Sequence, residues 1–90
     1  MYKPKDTQER ITHRLKISVG QLKKVIEMVE NNKYCIDILH QSQAVQKALR
    51  ETDNLVLENH LNTCAADAIK KGKGKEAIAE VMAVVKKSKG

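Results

Sequence analysis

Three residues of this sequence have the chemistry to share one soft metal ion: Cys35, His60 and Cys64. His60 and Cys64 stand four apart, which on a helix puts them on one face, one turn apart, where both can reach a single ion. Alone, such a pair would equally suit a buried cysteine beside an exposed histidine. Cys35 alters the balance, because two thiolates and an imidazole form a donor set that selects copper(I) or zinc. Three donors without an obvious fourth favour trigonal copper(I), since structural zinc takes four ligands. Catalytic zinc would keep a position open for water, and no general base stands near these residues in sequence. Thiolate ligands must lose protons to bind, so affinity is expected to rise with pH. Tyr34, beside Cys35, and Glu80 are candidates to accept the second ring proton of His60 and fix its tautomer. From spacing alone, Glu80 reads as a solvated surface residue.

Helices must position these groups. Pro4 is the only proline, and no glycine interrupts the chain between Gly20 and Gly72. No stretch alternates apolar and polar residues with period two, and no Asn-Gly or Asp-Gly hairpin turn is present. Ile11, Leu15, Leu22, Val25, Ile26 and Val29 recur at helical spacings and predict a first helix from near Lys5 to Asn31. Asp6 or Thr7 is its expected cap, and Asn31-Asn32-Lys33 its expected turn, because Asn tolerates the left-handed conformation that ends helices. Gly20 weakens that helix by about 1 kcal/mol relative to Ala and reads as a point of close backbone approach. A second helix is expected from near Tyr34 to Lys70, continuous through Thr52-Asp53-Asn54 because the apolar face resumes in register. A basic, glycine-rich connector from Lys70 to Lys75 leads to a short third helix, Glu76 to Lys87, with Ile78, Val81, Met82 and Val85 on one face. Ser88 to Gly90 are expected to fray.

The length of the second helix constrains the metal site. His60 follows Cys35 by 25 residues, which at ~1.5 Å per residue is roughly 37 Å. One chain cannot close such a site. A second copy laid antiparallel, with a two-fold axis near residues 48 and 49, would bring Cys35 of one chain opposite His60 and Cys64 of the other. Ala44 and Ala48 are small enough to let two helices approach there. The core demands the same step. Ninety residues with no Trp, no Phe and two Tyr bury little apolar surface alone. The expected fold is all-α: one domain over residues 1–90, three helices per chain, and an antiparallel four-helix-bundle dimer.

Lys and Arg outnumber Asp and Glu by 17 to 11, and the formal charge of +6 suits nucleic acid or another anionic partner. No signal-peptide pattern and no apolar run near the ~20 residues of a membrane span is present, so a cytoplasmic protein with no membrane partner is expected. In that compartment two cysteines bind metal or do redox work more often than they form a disulfide. They do not form a Cys-x-x-Cys pair, and nothing else points to an enzyme. His13 and His40 read as surface residues. No helix-turn-helix, zinc-finger or basic-zipper pattern occurs. The basic residues instead flank the helices: Lys3, Lys5, Arg10, Arg14 and Lys16, then Lys23 and Lys24, Arg50, and the lysines at 70, 71, 73 and 75. Most would meet phosphates without reading sequence.

Arg14-Leu15-Lys16, Gly20-Gln21-Leu22, Tyr34-Cys35-Ile36-Asp37-Ile38, Gln41 to Val45 and Asn59-His60-Leu61-Asn62-Thr63-Cys64 resemble the copper-sensitive operon repressor family, over residues 7 to 86. The resemblance implies an all-α dimer that pairs into a tetramer. It implies copper(I) bound across the dimer interface by Cys35, His60 and Cys64, with Tyr34 and Glu80 around them. It also implies an apo-protein that represses an operon for copper export or buffering and leaves the DNA when copper binds. Arg14 and Lys16 are the first candidates for operator contact, with Arg50 and Gln21 behind them. The family includes nickel/cobalt, zinc, formaldehyde and persulfide sensors as well. Nickel/cobalt members use additional histidines, some near the N-terminus, where this chain has Tyr2-Lys3-Pro4-Lys5; persulfide sensors lack the intervening His. Two departures concern DNA: Ile17 and Ser18 stand where many relatives carry Arg and Ile, and a late basic position falls at Arg50-Glu51. The rival readings are a copper-buffering helical dimer without DNA binding, and a dimerisation module without metal.

Overall fold

The computed structural model describes residues 4–88, with side chains from Asp6 to Lys87. Expectations attached to Lys3, to the Lys5 side chain and to the fraying of residues 89 and 90 lie outside the described residues; Ser88, also expected to fray, is helical. In order, the elements are α1 (Pro4–Glu30), α2 (Cys35–His60), a π-helical turn (Leu61–Ala65), α3 (Ala66–Lys70) and α4 (Gly74–Ser88). Among the described residues there is no strand. His60 and Ala66, either side of the π turn, both hold right-handed helical φ and ψ. The second helix therefore reaches Lys70 as its pattern predicts, with one widened turn inside it. Counting that path as one, the chain has the three expected helices.

α1 begins at Pro4, whose missing N–H is no loss at the first helical position. Asp6 and Thr7 consequently lie within its first turns instead of capping it, and Thr7 is buried. Its far end closes as expected: Asn32 is left-handed at φ 54°. The Lys33 N–H donates to Met28 O at 2.9 Å and the Asn32 N–H to Val29 O at 3.1 Å, the paired bonds of a Schellman stop. The turn after α3 repeats the device. Gly72 has φ 80°, the Lys73 N–H donates to Ala68 O at 2.8 Å, and the Gly72 N–H donates to Ile69 O at 3.1 Å.

The chain divides into two compact units between Leu55 and Val56. In the first, α1 and the adjoining part of α2 form a hairpin. Its seam is Thr7, Ile11, Ser18, Gln21, Val25 and Met28 on α1, and Ile38, Gln41, Val45, Ala48, Thr52 and Leu55 on α2, all buried or half-buried. Along each helix these positions fall into a three-four repeat, which keeps one narrow stripe against the partner helix. A cleft of about 320 Å³ beside the seam is lined by His13, Arg14, Ile17, Ser18, Ala48, Glu51 and Thr52. Ala48, half-buried, lines this cleft together with residues of α1. Gly20 has nothing within 4 Å of the place a Cβ would occupy, so among the described residues no backbone outside its own helix makes a close approach there.

Much of the seam is polar. Thr52, 2% exposed, donates its hydroxyl to Ala48 O at 2.9 Å. Ser18 Oγ and Gln21 Oε1 are buried without a partner. Beside the seam, one residue further along α1, run Leu15, Val19, Leu22, Ile26 and Val29, all more than 40% exposed. In the second unit Ala65 and Ala77 are buried and Val81 and Val85 half-buried, while Ile69, Ile78, Met82 and Val84 are exposed. No described helix is long and apolar enough to cross a membrane.

Replacing Gly72 puts a Cβ into a left-handed residue. Gly72→Ala should lower the unfolding free energy by about 1 kcal/mol, read from the urea midpoint at one fixed protein concentration. An unchanged midpoint would show that the turn does not need this conformation.

Candidate metal centre

Cys35 is the first residue of α2 and is exposed; its neighbour Tyr34, 67% exposed, precedes the helix. His60 is the last residue of α2 and is half-buried. Cys64 lies four residues on, inside the π turn, and is exposed. His60 and Cys64 thus belong to the second compact unit and Cys35 to the first. Among the described residues, no three His, Cys, Asp or Glu side chains gather into a metal-binding group.

The donors themselves suit a soft ion. Both sulfurs are free thiols, neither in a disulfide. Cys64 sits where the backbone is least regular. The Thr63 hydroxyl donates back to Asn59 O at 2.7 Å and lies 3.7 Å from Cys64 Sγ. Such back-bonding competes with the regular ladder and bends helices. Single π turns inside α-helices often mark functional sites. Asn59 Oδ1, next to His60, is buried without a partner. The sequence pattern did not single out Thr63 or the orphaned Asn59 oxygen. Their only sequence signal is a hydroxyl four residues after a carbonyl on a helix. Glu80 is exposed on α4.

Of the residues considered for DNA, Arg14, Lys16, Gln21 and Arg50 lie in the first unit, and the lysines at 70, 71, 73 and 75 in the second. Arg14 is exposed and borders the cleft with His13 and Glu51. Lys16 is exposed along a shallow groove shared with Gln8, Glu9, Thr12 and His13. Arg50 is exposed on α2. Gln21 is half-buried, its carbonyl oxygen turned into the protein.

Comparison with known proteins adds to this geometry. A family model described as metal-sensitive transcriptional repressor matches residues 7–87. The copper-sensing transcriptional repressor CsoR of Bacillus subtilis is 45% identical over 86 residues, covering 96% of this chain and 85% of that protein. The protein of the same name from Mycobacterium ulcerans is 38% identical over 81 residues, covering 90% of this chain and 69% of its own. The fold matches the crystal structure of the copper-sensing repressor CsoR with Cu(I) from Geobacillus thermodenitrificans. The TM-score is 0.90 and the identity 43%, with 100% of this chain and 94% of that one covered.

Proposed function

On the premise that this chain belongs to the metal-sensitive transcriptional repressor family, we propose that its signal is copper(I), bound by Cys35, His60 and Cys64 of two different copies. A transcriptional repressor is a regulator and not an enzyme. The relatives reported above are named copper-sensing repressors, and one was crystallised with Cu(I). The donor set here is the one such an ion favours: two thiols and an imidazole.

The observation that carries the reading is a stripe on α2. Cys35, Leu39, Ser42, Gln46, Leu49, Asp53, Val56 and His60 follow one another at alternating steps of four and three. Leu39, Leu49 and Val56 on this stripe are each more than a third exposed, although apolar. A second copy laid antiparallel pairs Cys35 with His60, Leu39 with Val56, Ser42 with Asp53, and Gln46 with Leu49. One contact then covers the apolar residues and completes a three-donor site at each end. Burying each Leu- or Val-sized side chain contributes about 1.5–3 kcal/mol, enough to hold such a dimer together. The exposed apolar row of α1, from Leu15 to Val29, is available for pairing dimers into a tetramer.

Tyr34 and Glu80 are proposed to steady the site, Glu80 by accepting the free ring proton of His60. Apo-protein binds operator DNA in the cytoplasm, with Arg14 and Lys16 as leading contacts, and Arg50 and Gln21 after them. Copper(I) binding lowers that affinity and derepresses genes for copper export or buffering. The effect is reciprocal, so operator DNA weakens copper binding by the same factor.

Two measurements test this. Cys35→Ala and His60→Ala proteins, mixed and allowed to exchange subunits, should regain about a quarter of the wild-type three-donor sites, because half the dimers are mixed and each mixed dimer has one intact site. No recovery by anaerobic copper(I) titration would refute the shared site. Separately, copper(I) added to operator-bound protein should lower DNA affinity roughly 5- to 150-fold, with His60→Ala blunting the response. Equal DNA affinity with sites filled and empty would remove the sensor reading.

A further inference from the structure

The segment from Lys70 to Lys75 holds four lysines and no acid. Without those four the formal charge of +6 would be +2, so most of the chain's net positive charge sits in one turn. All four are exposed. Asp67 engages Lys71 at 3.0 Å. Among the described residues no acid lies within ion-pair distance of Lys70, Lys73 or Lys75.

The backbone that presents them is fixed. Gly72 at φ 80° and the bonds from Lys73 N–H to Ala68 O and from Gly72 N–H to Ile69 O close the turn tightly between α3 and α4. Ordering this loop on binding therefore costs little, and only lysine side-chain freedom is lost.

We infer that the α3–α4 turn is a second DNA contact, a sequence-independent clamp on duplex phosphates separate from Arg14, Lys16 and Arg50. The inference rests on the DNA-binding reading given above. Lysine ammonium groups bind phosphates as point charges and carry no base information. Residues 70–75 contain no aromatic side chain, which single-stranded bases would need for stacking. They contain no apolar side chain, which insertion into a lipid surface would need. A duplex backbone is the polyanion that fits. Because each chain has one such turn, a two-fold assembly presents two.

The test uses full-length apo-protein with Lys70→Gln/Lys73→Gln/Lys75→Gln. A control, Lys33→Gln/Lys86→Gln/Lys87→Gln, removes the same charge from other exposed sites. Affinity for the operator and for a scrambled duplex is measured from about 50 to 200 mM salt. The slope of log affinity against log salt should shrink by about 1 for each lysine that loses a phosphate. Both duplexes should weaken by the same factor, the control should change less, and copper(I) affinity should hold. The inference is overturned by an unchanged slope, by an equal loss in the control, or by a loss confined to the operator. It is also overturned if the variant loses affinity only for single-stranded RNA or for anionic vesicles. A wild-type protein that binds duplex with no operator preference would remove the repressor reading, while the slope comparison still decides the turn. A wild-type protein with no duplex binding would remove both.

Discussion

The hairpin of α1 and α2 closes over small and polar side chains, and the rest of the molecule follows from that choice. Val45 is the one large apolar residue buried among those described; Thr7, Ser18 and Thr52 are buried as well. A seam of threonine, serine, alanine and glutamine brings two helices close but contributes little transfer free energy. It also leaves Ser18 Oγ and Gln21 Oε1 without partners, and such orphaned groups cost about 1–3 kcal/mol each. The leucines, isoleucines and valines that would normally stabilise a helical domain are displaced by one position onto the outer faces. A 90-residue chain arranged this way has its main stabilising surface still to bury.

That displacement bears directly on the metal chemistry. Cys35 falls in the four-three spacing of the exposed Leu39 and Leu49, not in the hairpin seam with Val45 and Thr52, and the same spacing along the sequence runs on to Val56 and His60. On the proposed reading, the contact that hides the leucines is the one that joins the ligands. Folding, assembly and metal affinity would then be linked, since a ligand that binds only the assembled state stabilises it by mass action. The π turn adds a local irregularity where Cys64 sits, with Thr63 bonding backwards to Asn59 O. A widened turn resets the phase of whatever follows it. α3 and the turn to α4 are therefore placed by the same irregularity that places Cys64.

Charge is unevenly spread. The α3–α4 turn concentrates four lysines, whereas Arg14 and Lys16 on α1 have Glu9 and Glu51 among the residues lining the same clefts. Mixed-charge surroundings suit a contact that discriminates, and on the inference above the lysine-rich turn, where only Lys71 is paired with an acid among the described residues, suits one that only attracts. Both kinds are useful to a repressor that must find one operator among many duplex sites.

The sequence by itself determined the helices, their order and the left-handed Asn32 stop, because these depend on local spacing and on glycine and asparagine chemistry; the proposed donor set also comes from the sequence, through which side chains bind soft metals. It also identified the family through the Tyr34-Cys35 and His60 to Cys64 elements, which the comparisons support. It did not determine which stripe of each helix turns inward. Apolar periodicity placed Ile11, Leu15, Leu22 and Val25 on one face of α1, and packing within the chain takes Ile11 and Val25 inward with Ser18 and Gln21 while leaving Leu15 and Leu22 exposed. It read Asp6 and Thr7 as caps where Pro4 begins the helix. The π turn was also invisible, because nothing in a three-four repeat announces one extra residue per turn. Only the folded structure settles these points, since two faces of one helix differ by a rotation of about 100°. Which face is buried depends on the surface it meets.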